Sequence, residues 1–363
     1  MREWSDSFNS FNSMKGLLYR KWMEGILAGE FLPPVEASID PVYDCNLSCR
    51  WCNSGRIFND PCQKGKMMTR DHLLNLCRFL AMWGVKGVCF AGGGEPFLHP
   101  DVAEATDLLG GLHVETAFLT NGTLINDRDI LAMVRHSRWV GCSVDAASPD
   151  TYAALKGGSP GLFSRVLDFL KEAVARRNKA GSKLEISFKF LVHPANAGEI
   201  LDAVRLARSL GVDYAHIRPA ASENVLGGED ACLDFPLAQI DRQMQEAFNL
   251  ETDTFKVYGV RHKFNPSFHK KRHFKSCLSA PLLINLGPDG NAYLCVDHRG
   301  KQEYAFGRHD PDPEELLILW GSPAHKALMS QVDVGRCPRC TFGPYNEVME
   351  KAIVEDRMCK NFP

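Results

Sequence analysis

No stretch of the 363 residues approaches the roughly 18 consecutive apolar residues that a membrane-spanning helix needs, which excludes a helical membrane anchor within the sequence read. The opening "MREWSDSFNSFNSMKGLLYRKWMEG" lacks the apolar core of a secretory signal, and the expected location is the cytoplasm. An excess of one charge is missing too. With 42 Lys and Arg against 44 Asp and Glu, the net charge of −2 carries no general footprint for nucleic acid, and neither nucleic-acid nor membrane partners are expected. Repeats and low-complexity tracts are absent apart from "SFNSFNS" at 7–13, which reads as an entry segment. At 45% hydrophobic and 24% charged residues, the chain has the means to bury a sizeable core, and its length suits one large domain with an appendage.

Cysteine, by contrast, is plentiful: there are 13. In a cytosolic setting thiols are kept reduced, so a disulfide framework is a poor account and metal binding or chemistry a better one. Three cysteines fall within eight residues in "YDCNLSCRWCNS" (43–54): Cys45, Cys49 and Cys52, spaced C-x3-C-x2-C. The chance expectation for that spacing at this cysteine frequency is on the order of 0.02 per chain, so the triplet is a signal. Three soft thiolates on a tight loop suit a cluster or zinc and leave one coordination position for chemistry. A zinc loop with a fourth ligand from elsewhere is the bland alternative, and no C-x2-C or H-x3-H follows within knuckle range.

Apolar runs at 35–41, 84–91, 114–120, 139–146, 184–192 and 214–220 read as buried strands, and the helical periods between them fall at about 69–83, 101–110, 126–137, 161–179 and 196–210. This alternation predicts an α/β fold with a parallel sheet. Six units curl into an incomplete barrel over 35–250, closed by a helix at 235–249, with the site at the carboxyl ends of the strands. The cysteine triplet lies at the end of the first strand. "AGGGEPFLHP" (91–100) follows the second, and its glycines let backbone approach a ligand closely. "LTNG" (119–122) ends the third strand, and "SVDAA" (143–147) lies on the fourth.

These elements, in this order over about 35–220, resemble the radical S-adenosylmethionine (SAM) superfamily, whose signature is a C-x3-C-x2-C loop with an aromatic residue before the last cysteine; Trp51 stands there. The resemblance implies a partial (β/α)6 TIM-like barrel and a [4Fe–4S] cluster on Cys45, Cys49 and Cys52. The cluster's fourth iron binds SAM and cleaves it to a 5′-deoxyadenosyl radical. It further implies SAM contacts from Gly93, Gly94 and Glu95, with Ser143 near the methionine carboxylate and Asn121 nearby. Lys156 stands where many relatives have arginine, a point charge in place of a fork. Ile217, with Arg218 beside it, is implied on the adenine side.

A second set follows: Cys277, Cys295 at the end of a hairpin turning on "PDG", and "CPRC" at Cys337 and Cys340. By spacing alone it suits four-cysteine zinc or a second [4Fe–4S] cluster. It resembles the Twitch domain, the short form of SPASM, which implies one fully ligated auxiliary cluster over 277–341 in a β-hairpin-plus-helix unit. Residues 1–34 read as an N-terminal segment, 251–276 as a basic linker and 342–363 as a C-terminal helix and tail in which Cys359 is idle.

The same resemblance points to dehydrogenation of a small polar, sugar- or aminocyclitol-like and optionally phosphorylated substrate. The auxiliary cluster then accepts the electron, and a flavodoxin- or ferredoxin-type protein is the donor. Peptide modification, epimerisation, dehydration and decarboxylation are the alternatives within the enzyme class. A plain iron–sulfur carrier or zinc module is the alternative outside it. "RHKFNPSFHKKRHFK" (261–275), with six Lys/Arg and no acid, suits a phosphate handle, an acidic electron donor or a solvated linker face. Candidate hydrogen donors and bases are Cys232, His193, Glu223 and Asp230, placed by topology alone. Cys77 and Cys89 read as core.

Overall fold

The computed structural model describes residues 13–220, 233–264, 272–337 and 340–355. Its frame is one ten-stranded sheet. Six parallel strands run in chain order: β1 (Glu36–Ile39), β2 (Gly87–Phe90), β3 (Glu115–Thr120), β4 (Ser137–Ser143), β5 (Glu185–Val192) and β6 (Tyr214–Pro219). Between and around them lie α1 (Arg20–Ala28), α2 (Gly55–Asn59), α3 (Arg70–Trp83), α4 (Val102–Gly111), α5 (Asp127–His136), α6 (Pro149–Lys156), α7 (Gly161–Ala180), α8 (Ile200–Ser209) and α9 (Leu237–Phe248). Strand–helix alternation produces the expected parallel α/β sheet of an incomplete barrel.

Helix ends are set by local chemistry. The Thr69 hydroxyl accepts from the His72 amide to start α3, and Gly84, at φ 96°, ends it in the left-handed region. Asn126 and Asp129 form a reciprocal capping box on α5.

Alternation along the strands separates two faces. Phe118, Val140, Cys142, Phe188, Phe190 and Ile217 are buried with the helices in the main core. Their neighbours Leu119, Trp139, Ser143, Leu191 and Arg218 keep partial exposure on the other face, the barrel interior. Cys77 and Cys89 are buried, as expected.

Two features extend the sequence reading. A seventh parallel strand, β7 (Lys256–Gly259), pairs with β6, so the stretch read as linker opens with a sheet element. The hairpin of β8 (Leu283–Leu286) and β9 (Asn291–Tyr293) is present, its turn carrying Gly290 at φ 81°. β8 also pairs in parallel with β1, Ser38 opposite Asn285, and β10 (Ala305–Arg308) adds to β9. The second cysteine set is therefore carried on the same sheet as the first. Helices α10 (Glu315–Leu319), α11 (Pro323–Ser330) and α12 (Gly343–Val348) follow, and a π-helical stretch, Met349–Glu355, ends the described chain.

Candidate active site and the two cysteine sets

The loop after β1 carries Cys45, Cys49 and Cys52, all half-buried. A backbone bond from Cys52 N to the Cys49 carbonyl (3.0 Å) tightens it, and Ser48 N and Arg50 N bond the carbonyls of Lys156 and Leu155 at the end of α6 (2.9 and 3.1 Å). Burial pushes the Cys45 thiol up to about 12, and the charges of Glu95, Cys49 and Cys52 push the same way. Burial raises Cys49 too, against the pull of the Lys156 ammonium. Thiols held this way become thiolates beside a positive centre, which an iron cluster provides. Among the described residues no three His, Cys, Asp or Glu side chains converge on a point fit for one metal ion.

The glycine loop after β2 lies flush against this cysteine loop. A Cβ on Gly93 would fall 2.3 Å from the Tyr43 ring, and one on Gly94 would fall 1.9 Å from the Asp44 carbonyl oxygen. The Glu95 carboxylate accepts from Thr120 Oγ1 (2.6 Å), Asn121 N (2.7 Å) and Phe97 N (3.3 Å), which locks the loop to the end of β3. Burial nevertheless raises its pKa to about 7. Asn121 joins the cysteine loop: its Nδ2 donates to Asn46 Oδ1 at 2.9 Å and lies 3.8 Å from Cys45 Sγ.

Ser143 ends β4 half-exposed, and its carbonyl accepts from Lys156 Nζ at 2.9 Å. Lys156 is buried and paired with the equally buried Asp145 at 2.6 Å. Burial opposes the lysine charge, but the Asp145 carboxylate outweighs it and the pKa is raised. Asp145 holds a left-handed backbone, φ 61°, and its other oxygen accepts from Leu191 N at 2.7 Å. Trp51 packs against His193, ring centroids 5.7 Å apart, beside Leu155 and Ala220. Burial lowers the His193 pKa, and Arg50 adds to the effect. Ile217, implied on the adenine side, lies with its side chain wholly buried in the core, and Arg218 beside it is partly exposed. Cys232, Glu223, Asp230, Cys359 and residues 265–271 of the basic stretch lie outside the described residues.

Cys277, Cys295, Cys337 and Cys340 lie near enough for their charges to act on one another. Burial raises Cys277 to about 12, with the Cys340 and Cys337 charges adding, and raises Cys337 to about 11. Burial likewise holds Cys295 well above its ordinary value. Each of the last three sulfurs has a nitrogen nearby: Asp297 N at 3.4 Å from Cys295, His298 Nε2 at 3.4 Å from Cys337, and Asn346 Nδ2 at 3.7 Å from Cys340.

Several residues that bind this arrangement together escaped the sequence reading. Arg299 Nε pairs with the buried Asp40 at the end of β1 (2.9 Å), and its Nη1 donates to the Gly92 carbonyl, so the segment after Cys295 grips the glycine loop directly. Asn285 Nδ2 donates to the same Asp40 (3.2 Å). On the interior face, Lys189 lies over Gly141, where a Cβ would sit 2.1 Å from its Cε. Burial, with Arg218 adding, lowers its pKa to about 7. The one available signal was local: "CVDHRGK" (295–301) places His298, Arg299 and Lys301 just after a cysteine.

A parallel incomplete barrel with a three-cysteine loop at its first strand end, joined through one sheet to a second cysteine set, defines a cluster-dependent enzyme. The comparisons with known proteins make the class specific. The family model described as the radical SAM superfamily matches residues 39–219. The "PqqA peptide cyclase" of Gluconobacter oxydans is 27% identical over 366 residues, covering 88% of this chain and 94% of that protein. The "Mycofactocin maturase MftC" of Mycobacterium ulcerans is 29% identical over 191 residues, 52% of this chain and 48% of that protein. Among solved structures, Streptococcus suis SuiB bound to precursor peptide SuiA aligns with a TM-score of 0.63 at 16% identity, over 95% of this chain and 79% of that one. The anSMEcpe structure with bound AdoMet and Kp18Cys peptide aligns at 0.57 and 15%, over 87% and 88%; both show likeness of fold. The chain belongs to the radical SAM superfamily, and its cofactors are SAM and a [4Fe–4S] cluster.

Proposed function

We propose that this protein is a cytoplasmic radical SAM enzyme that modifies a peptide. The observation that carries this reading is the similarity to PqqA peptide cyclase along nearly the whole of both chains. The similarity to MftC over about half of each chain points the same way. In this reading Cys45, Cys49 and Cys52 hold the first [4Fe–4S] cluster, and Cys277, Cys295, Cys337 and Cys340 hold an auxiliary one. When bound, SAM and the first cluster would supply radical chemistry for removing hydrogen from substrate, and an auxiliary cluster would offer an electron acceptor.

The chain's own residues bind and orient. Backbone at Gly93 and Gly94 receives the methionine end, with Glu95 and Asn121 bracing that loop against β3 and the cysteines. Ser143 faces the methionine carboxylate. Lys156, held by Asp145, brings a positive charge toward Cys49. Trp51 closes the loop against His193, and the Ile217 backbone would border adenine. A flavodoxin- or ferredoxin-type protein supplies the first electron.

Dehydrogenation of a small polar molecule is the second reading, making the protein an oxidoreductase in the narrow sense. The small-molecule substrate, and not the dehydrogenation, is what the similarity to the "Probable GTP 3′,8-cyclase" of Methanothermobacter marburgensis supports, 28% over 121 residues, which covers 33% of this chain and 38% of that protein. One experiment separates the readings. Anaerobically reconstituted, dithionite-reduced enzyme is given SAM with either a library of synthetic peptides or a mixture of aminocyclitols and sugar phosphates, and 5′-deoxyadenosine is quantified. Stimulation by peptides, with a peptide product lacking hydrogen, supports the first reading. Stimulation by the small-molecule mixture alone overturns it.

A further inference from the structure

Between the loop after Cys52 and the segment after Cys295 lies a small cavity, a size for one charged group. Asn53 and Val296, each adjacent to a cysteine of a different set, border it, and Arg56, Arg299 and Lys301 line it together with Asp297. Its walls are well defined. A Cβ on Gly300, which sits at φ 71°, would come within 2.9 Å of Ile57 Cγ1, so α2 packs directly on the 296–301 segment.

The charges in this lining do not cancel. Arg299 is matched by Asp40 and anchored to the Gly92 carbonyl, which fixes its guanidinium. Asp297 is engaged elsewhere: its Oδ2 accepts from the Thr341 amide (3.1 Å) and hydroxyl (2.9 Å). Among the described residues no carboxylate lies within ion-pair distance of Arg56 or Lys301. These two stand close enough that, after burial, the charge of Arg56 is the next cause lowering the Lys301 pKa, against the opposing charges of Glu303, Cys337 and Asp297, and the ammonium also faces His298 Nδ1 at 3.4 Å. Like charges gathered around one partly open space are stabilised by an anion within it, and guanidinium forks match planar carboxylates.

We propose that this cavity is a carboxylate-binding subsite for the substrate, formed by Arg56 and Lys301 against the fixed Arg299, and that it holds a peptide's acidic side chain or C-terminal carboxylate between the two cysteine sets. The choice of carboxylate rests on the peptide reading above; the site itself rests on the lining.

The test uses reconstituted holoenzyme in a buffer of weakly coordinating anions. Isothermal titration calorimetry follows acetate and, separately, inorganic phosphate, for the wild type and for Arg56→Gln/Lys301→Met. Iron content and circular dichroism verify the double variant. If it fails to load iron, the single Arg56→Gln change, at an exposed position, replaces it. The expected result is one equivalent of acetate bound by the wild type, with affinity reduced at least about tenfold in the variant, as loss of a charged hydrogen bond requires. No saturable binding, or equal binding in wild type and variant, overturns the subsite. Phosphate held in strong preference to acetate overturns the carboxylate assignment. For the source of the carboxylate, peptides with a free C-terminus are compared with amidated ones, and acidic side chains with their amides, in the deoxyadenosine assay. A peptide response without acetate binding overturns the subsite alone. Acetate binding with a response to small molecules alone overturns the peptide reading and, with it, the peptide carboxylate as occupant.

Discussion

His298 is placed to tune the potential of a second cluster held by Cys337, by an amount that follows from one hydrogen bond. Its Nδ1 faces the Lys301 ammonium at 3.4 Å, and its Nε2 faces Cys337 Sγ at 3.4 Å. The ring is stacked on Tyr304, centroids 3.7 Å apart and planes 11° apart. Burial first, then Lys301, lowers its pKa to about 4, so the ring is neutral at pH 7. A neutral imidazole that accepts an ammonium proton at Nδ1 carries its own proton on Nε2, which therefore donates to the sulfur. Such a bond favours the electron-rich reduced cluster. At about 0.5–1.5 kcal/mol for a net hydrogen bond, and 59 mV per tenfold in a one-electron couple, the contribution is roughly 20–65 mV. His298→Phe keeps the stacking and removes the donor. The expected result is a midpoint lowered by that amount for the second cluster alone, read by potentiometric titration monitored by electron paramagnetic resonance. An unchanged or raised midpoint with both cluster signals intact refutes the reasoning.

Cys49→Ala should abolish 5′-deoxyadenosine formation and halve the bound iron, while Cys337→Ala should halve the iron and leave SAM binding in place; colorimetric iron and equilibrium dialysis read these. Gly94→Ala drives a Cβ to 1.9 Å from the Asp44 carbonyl, a clash the loop relieves only by moving, and SAM affinity should fall by more than about tenfold in calorimetry. Lys156→Met leaves Asp145 buried without its partner and should cost about 3–5 kcal/mol by urea unfolding. His309 and His325 are buried, and burial lowers their pKa values to about 3 and about 4. Their stabilisation is complete above the unfolded value of 6.5 and is lost as pH falls below it, about 2 kcal/mol each by pH 5. Thermal melting should therefore drop between pH 7 and 5, and His325→Gln should flatten part of that slope.

Much of the barrel was legible because its signals are local. The strand read at 184–192 is found at Glu185–Val192, and the helix read at 126–137 is Asp127–His136, bounded by the Asn126 capping box. The seventh strand was not legible: "KVYG" is four residues long, and charge, not alternation, dominates that region. Nor could periodicity show that β8 pairs with β1, because Ser38 and Asn285 meet across nearly 250 residues and an edge pairing leaves no mark in either segment. The same separation hid Arg299, whose role exists only once Asp40 and Gly92 are beside it. Lys156 shows the reverse case. Its position in the site was readable, but the buried pair with Asp145 that fixes its charge depends on Asp145 taking a left-handed backbone.

The central claim is that Cys45, Cys49 and Cys52 make this chain a SAM-cleaving enzyme. The direct measurement is anaerobic: reconstitute wild type and Cys49→Ala with iron and sulfide, reduce with dithionite, add SAM, and quantify 5′-deoxyadenosine with the peptide library present. The account predicts formation by the wild type and none by the variant, with the second set's iron retained in both. Fully iron-loaded wild-type protein that neither binds SAM nor forms 5′-deoxyadenosine would contradict it.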